Sequence, residues 1–224
     1  LTQFEDVVNN KDSQRYYVLR PNSDGYAYYQ SGFDESVMIV IKPDSKSEEI
    51  HIKRKLFGQM SFSKTGRYLA FSTLAAVEPK TSHAEVYYYD LEKKALYRAA
   101  DKEHAKKSMR AKDPDFSPRD GGQRWLVMVR NFLNTDQLYI FDALEKKGYV
   151  ITGAPNKTQF SHPRFSPDGS KIVVSRKDPN GYRDIVVYNN KGRELYQITN
   201  DIKVDNHPVF SRDGNRIYFD SYRN

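Results

Sequence analysis

Short apolar runs recur along the whole chain, separated by clusters of Gly, Pro, Asn, Asp and Ser. Each run reads as a strand bounded by turn residues. In order they fall at residues 14–20, 26–30, 37–41 and 49–52, then at 59–63, 67–73, 84–91 and 95–99. A third group covers 114–117, 124–130, 137–142 and 148–152, and a fourth covers 163–166, 171–176, 184–188 and 194–199. Two further runs, 207–211 and 216–221, begin a fifth group. The second run of a group is apolar at successive positions, as in Ile172-Val173-Val174, which predicts burial on both faces of the sheet. The last run carries more charge, as in Lys191-Gly192-Arg193-Glu194, as a strand facing solvent does.

A phrase links the first two runs of each group. It is clearest in His162-Pro163-Arg164-Phe165-Ser166-Pro167-Asp168-Gly169 and returns in His207-Pro208-Val209-Phe210-Ser211-Arg212-Asp213-Gly214. Upstream copies are Asp113-Pro114-Asp115-Phe116-Ser117-Pro118, with Asp120-Gly121 one residue late, and Met60-Ser61-Phe62-Ser63-Lys64-Thr65-Gly66. The phenylalanines at 62, 116, 165 and 210 are spaced 54, 49 and 45 residues apart. Self-similarity at that period is the mark of a repeat architecture. Pro presets the first turn dihedral, Asp bonds the local backbone, and Gly accepts the left-handed geometry that returns the chain.

Four-stranded sheets buried on both faces and repeated along a chain predict an all-β fold, a β-propeller of antiparallel blades. A β-sandwich would alternate apolar and polar positions more cleanly and would lack the repeated hairpin. The repeats are expected at 11–54, 57–100, 112–153, 161–200 and 205–224, in a single domain covering 1–224. The fifth has only two strands. Either the ring is five-bladed, with residues 1–8 supplying a strand that completes the last sheet, or these blades are part of a larger propeller.

Composition narrows the function classes. The 224 residues hold no Cys, which excludes disulfides, thiolate metal sites and a cysteine nucleophile. No apolar run has the length of a membrane span, so no transmembrane helix is expected. The chain begins at Leu1 without a leader pattern, and a trimmed product is expected. The net charge of +7 fits Lys and Arg on strand edges and loops, and nucleic acid is not an expected partner. The densest basic stretch lies between the second and third groups, with Lys102, Lys106, Lys107, Arg110 and Lys112. It reads as a short helix or loop, and those five residues are a candidate interaction surface.

Phe-Ser-Pro-Asp-Gly, followed by Lys-Ile, an apolar strand ending in Ser, Asp-Ile-Val-Val-Tyr and a closing Gln-Ile-Thr, resembles the TolB-type propeller repeat of bacterial envelope proteins. Members of that family usually carry six or seven blades, whereas four and a half are counted here. The resemblance implies a non-enzymatic binding module of the periplasm or cell envelope. Its partner would be another protein such as a peptidoglycan-associated lipoprotein. It also leaves room for two other readings. One is a metal-assisted polysaccharide lyase or hydrolase, since oligogalacturonate lyases of this fold hold a metal with His and Gln near the channel. The other is the substrate-gating propeller of a larger serine protease.

Motifs for catalysis are missing: there is no Gly-x-Ser-x-Gly elbow, no His-Glu-x-x-His and no phosphate-binding Gly-Lys-Ser/Thr loop. No catalytic residue is singled out. One constellation remains. Three residues before each repeat phenylalanine stand Gln59, Asp113, His162 and His207, and in a propeller this position would ring one mouth of the central channel. Two imidazoles, a carboxylate and an amide could bind a divalent metal or a polar ligand. The plainer expectation is that they hydrogen-bond the next blade's backbone and tie the ring together. No other cofactor is expected.

Overall fold

Strand pairing follows chain order. The computed structural model describes residues 16–19, 25–32, 35–42, 46–77, 81–101, 109–153 and 158–222. The first blade consists of β1 (Tyr16–Leu19), β2 (Tyr26–Ser31), β3 (Ser36–Ile41) and β4 (Ser47–Ile52). The second has β5 (Lys55–Phe62), β6 (Tyr68–Val77), β7 (Thr81–Asp90) and β8 (Ala95–Arg98). The third has β9 (Ala111–Phe116), β10 (Trp125–Phe132), β11 (Thr135–Asp142) and β12 (Lys147–Gly153). In the fourth, β13 (Gln159–Phe165), β14 (Lys171–Lys177), β15 (Arg183–Asn189) and β16 (Glu194–Gln197) pair in that order. Every neighbour within a blade is antiparallel, so each sheet is a meander of consecutive strands. This is the blade architecture of a β-propeller. The fifth unit is a hairpin of β17 (Val204–Phe210) and β18 (Ile217–Tyr222), joined to β15 by one parallel bridge, Arg183 to Val204. The helix-or-loop expectation at Lys102, Lys106 and Lys107, and the strand expected at residues 1–8, lie outside the described residues.

The successive apolar residues of the second strands are explained by the way blades stack. Ile172 and Val174 of β14 pack with Val127, Val129, Leu138 and Ile140 of the third blade. Val173, between them, faces the other way and packs with Phe210 of the fifth unit. Equivalent layers join blades one and two, around Met38, Leu56 and Phe71, and blades two and three, around Val86, Leu126 and Phe141. The core is therefore a series of interfaces between sheets. The outer strand β16 is exposed along its length, as its charge predicted.

The turn chemistry is as read from the repeat. Gly169 takes φ 68° and donates its N–H to the Ser166 carbonyl at 2.8 Å. Asp168 accepts bonds from the Ser166 hydroxyl at 2.6 Å, the Ser170 N–H at 3.0 Å and the Ser170 hydroxyl at 2.7 Å. These donors hold its carboxyl well below the usual carboxylate range. The extra residue in the third copy forms a single 3-10 turn, Asp120–Gly122. Its Gly122 carbonyl accepts the Lys64 N–H at 3.0 Å, so the insertion docks against the second blade's turn.

Side chains of the third strands stitch three successive interfaces. The Leu56 N–H donates to Ser36 Oγ at 2.9 Å, the Met109 N–H to Glu85 Oε1 at 3.2 Å, and the Phe160 N–H to Asp136 Oδ2 at 3.0 Å. In each case an oxygen of one blade receives the backbone leading into the next.

Candidate functional site at the inner strands

Each inner strand from the second blade onward contains a β-bulge. In the third, fourth and fifth units the bulged residues are Asp113, His162 and His207, at φ 54°, 54° and 48°, each followed by proline. Left-handed backbone is costly for residues with a Cβ, though Asp and His tolerate it better than most. Its recurrence at one position of the repeat is a feature of the design, of the kind that concentrates at functional sites. The second blade solves the problem differently: Gly58 takes the left-handed position at φ 66° and Gln59 follows it. By backbone geometry Gln59 therefore stands where the other units have proline, one place later than counting back from the phenylalanines suggests.

The structure brings three of the four sequence candidates together and sets the fourth beside them. Gln59 is buried, and its Nε2 donates to the Pro114 carbonyl at 2.9 Å and the Pro163 carbonyl at 3.1 Å. One side chain thus joins the bulges of blades two, three and four. Asp113 Oδ2 accepts the His162 N–H at 3.3 Å, while the Asp113 N–H donates to Ser72 Oγ at 2.9 Å. The His162 and His207 rings lie 4.1 Å apart between centroids. His162 Nδ1 is 3.0 Å from Asn206 Oδ1, and His207 Nδ1 is 2.9 Å from Asp220 Oδ1. Burial, reinforced by the neighbouring His207 and opposed by Asp113, pushes His162 down to about 4. It is neutral at pH 7, and its bond to Asn206 places the proton on Nδ1 and the lone pair on Nε2.

As metal ligands these residues form an incomplete set. The paired imidazoles, each with Nδ1 facing an oxygen acceptor, have the outer-shell arrangement of metal-binding histidines. The set stops at two, because Gln59 and Asp113 are engaged with backbone groups of neighbouring blades. Among the described residues no three His, Cys, Asp or Glu side chains converge in a metal-holding group.

A second layer escaped the sequence reading. One residue before the repeat phenylalanines stand Ser61, Asp115 and Arg164. Asp115 Oδ1 accepts the Ser61 hydroxyl at 2.8 Å and the Arg164 guanidinium at 3.0 Å, and its Oδ2 accepts the Phe165 N–H at 2.8 Å. The signal available in sequence was a polar or charged residue directly before the repeat phenylalanine in three successive units. The fifth unit breaks the series with Val209.

Of the basic candidates, Arg110 and Lys112 are described, and both line a cavity of about 280 Å³ with His83 and Asp136. Arg110 is exposed and Lys112 half-buried in β9.

No protein-family model matches the chain. Among solved structures, a TolB-like protein from Agrobacterium tumefaciens superposes with a TM-score of 0.72 at 15% identity, over 93% of this chain and 69% of that one. The fold is that of a TolB-type propeller. TolB from Acinetobacter baumannii matches with a TM-score of 0.65 at 16% identity, over 91% of this chain and 48% of that one. An oligogalacturonate lyase solved in complex with manganese matches with a TM-score of 0.62 at 12% identity, over 88% and 56%. The TolB-type fold thus occurs in proteins of more than one class, and it leaves the activity to be argued from the surface.

Proposed function

We propose that this TolB-type propeller is a non-enzymatic binding module of a bacterial cell envelope, and that it takes a protein partner at the β10–β11 hairpin tip of its third blade. The observation that carries the reading is an exposed apolar tip on a blade that is packed by neighbouring sheets on both sides. Leu133 is 80% exposed and Phe132 48%, and the exposed Arg110 lies beside them, its carbonyl accepting the Asn131 N–H at 2.9 Å. Adjacent exposed apolar side chains of this kind mark interaction sites. An aromatic ring beside an arginine is a pairing found among hot-spot residues. The likeness to TolB supports a peptidoglycan-associated lipoprotein as the partner, and the periplasm as the compartment. Calorimetric titration with that lipoprotein tests the proposal. Saturable binding that falls at least about tenfold in a Phe132→Ser/Leu133→Ser variant is expected. Absence of binding overturns the partner, and binding indifferent to both substitutions overturns the surface.

The paired histidines favour a second reading, a divalent metal at the channel mouth supporting polysaccharide chemistry. Its test is a titration with Mn²⁺ or Zn²⁺ followed by NMR of the imidazoles. Stoichiometric binding lost in His162→Ala supports it, and unperturbed His162 and His207 resonances remove it.

A further inference from the structure

The groove between the third and fourth blades, at the end where the hairpin turns lie, holds a cavity of about 240 Å³. Its walls combine aromatic rings with polar groups. Trp125, Tyr149 and Phe165 supply the rings. Trp125 is held at both edges of its freedom: the Arg124 guanidinium lies 4.7 Å from the ring centroid, and its Nε1–H donates to Asp120 Oδ2 at 2.6 Å. Tyr149 is 51% exposed, its ring open to a ligand.

Arg119 sets this cavity apart from the other turns at the same end. Arg67 and Arg124 are each bonded to an aspartate, Asp90 and Asp142, at 2.7 Å. The guanidinium of Arg119 has no ion-pair or hydrogen-bond partner among the described residues. Its stem is nonetheless constrained: Cγ and Cδ lie 2.4 and 2.8 Å from where a Cβ on residue 169 would stand, so it fits only because that residue is Gly169. Asn190, whose Nδ2 reaches the Gly169 carbonyl at 3.4 Å, offers its amide oxygen as an acceptor.

We propose that this groove binds one ring of an acidic glycan, a pyranose bearing a carboxylate. The apolar C–H face of the sugar would lie on the aromatic walls, the carboxylate would take the fork of Arg119, and ring hydroxyls would donate to Asn190 and Asp120. The volume is below the roughly 300–1,000 Å³ of drug-sized pockets and suits a single ring. A purely aromatic ligand would use neither the exposed guanidinium of Arg119 nor the half-buried amide of Asn190. The proposal is independent of the protein-binding reading, because the groove uses none of the residues of the β10–β11 hairpin tip.

Trp125 is the single tryptophan of the chain, so its fluorescence reports directly on this groove. Titrations with D-glucuronate, D-glucose and benzoate over the millimolar range separate the contributions. A saturable change with glucuronate, about tenfold weaker with glucose, is expected. Arg119→Gln should erase that difference while leaving the near-UV circular dichroism intact, and Tyr149→Ser should weaken both sugars. Absence of a response to glucuronate overturns the proposal, as does equal binding of glucose and glucuronate in the wild type. Tighter binding of benzoate than of glucuronate also overturns it and assigns the groove to aromatic carboxylates.

Discussion

The carboxylate of Asp115 in the third blade meets the guanidinium of Arg164 in the fourth at 3.0 Å. The same oxygen accepts the Ser61 hydroxyl from the second blade, so one buried side chain ties three sheets. Removing one partner of such a network strands the others in a poorly solvated site. Asp115→Ala is expected to lower stability by about 3 kcal/mol, with Asp115→Asn intermediate. Urea denaturation measures both, and a loss within error of zero would show that the network contributes no net stability.

Asp205 makes the opposite case. It is fully buried, and neither carboxylate oxygen has a hydrogen-bond partner among the described residues. The matching position of the fourth blade, five residues before the repeat phenylalanine, is the buried Phe160. Asp184 is a neighbour whose carboxyl is raised, chiefly by burial and in part by Asp205 itself. Replacing an unpartnered buried polar group by an apolar one is therefore stabilising here. Asp205→Leu should raise stability by about 1–3 kcal/mol, seen as a higher melting temperature. A lower melting temperature would mean that the carboxylate has a partner in solution.

His162 gives the fold a pH dependence of definite sign. Its folded value of about 4 lies below the ordinary 6.5, mainly through burial. Between those two values the unfolded chain holds a proton that the folded chain does not, so stability falls as pH falls through that window. Above it the contribution is complete, and below it the loss is complete. The urea midpoint should drop on acidification from pH 7 to 4, and His162→Gln should flatten that part of the profile. Identical profiles for the two proteins would contradict the assignment.

Much of the blade plan was legible because it rests on local chemistry. Asp168, Gly169 and Ser166 act within one turn, and Ile172, Val173 and Val174 report two-sided burial without any knowledge of their neighbours. Gln59, Asp113, His162 and His207 were legible as one position of the repeat, and Gln59 bonds to the Pro114 and Pro163 carbonyls of two other blades. Their backbone was not. That Gly58 and not Gln59 would take the left-handed position depends on a bulge one residue longer than those of the other blades. Nor was the Ser61–Asp115–Arg164 layer visible, since polar side chains 49 and 54 residues apart in sequence meet only after the sheets stack. The groove at Trp125 was hidden for the same reason.

The side-chain stitches at Ser36, Glu85 and Asp136 all run in one direction, from a finished blade to the first strand of its successor. Each completed sheet therefore offers both an apolar wall and a hydrogen-bond acceptor to the segment synthesised next. Growth from the N-terminus can proceed blade by blade on the ribosome, with every new hairpin templated by the previous one. The polarity of assembly is written in which residue of each pair supplies the side chain.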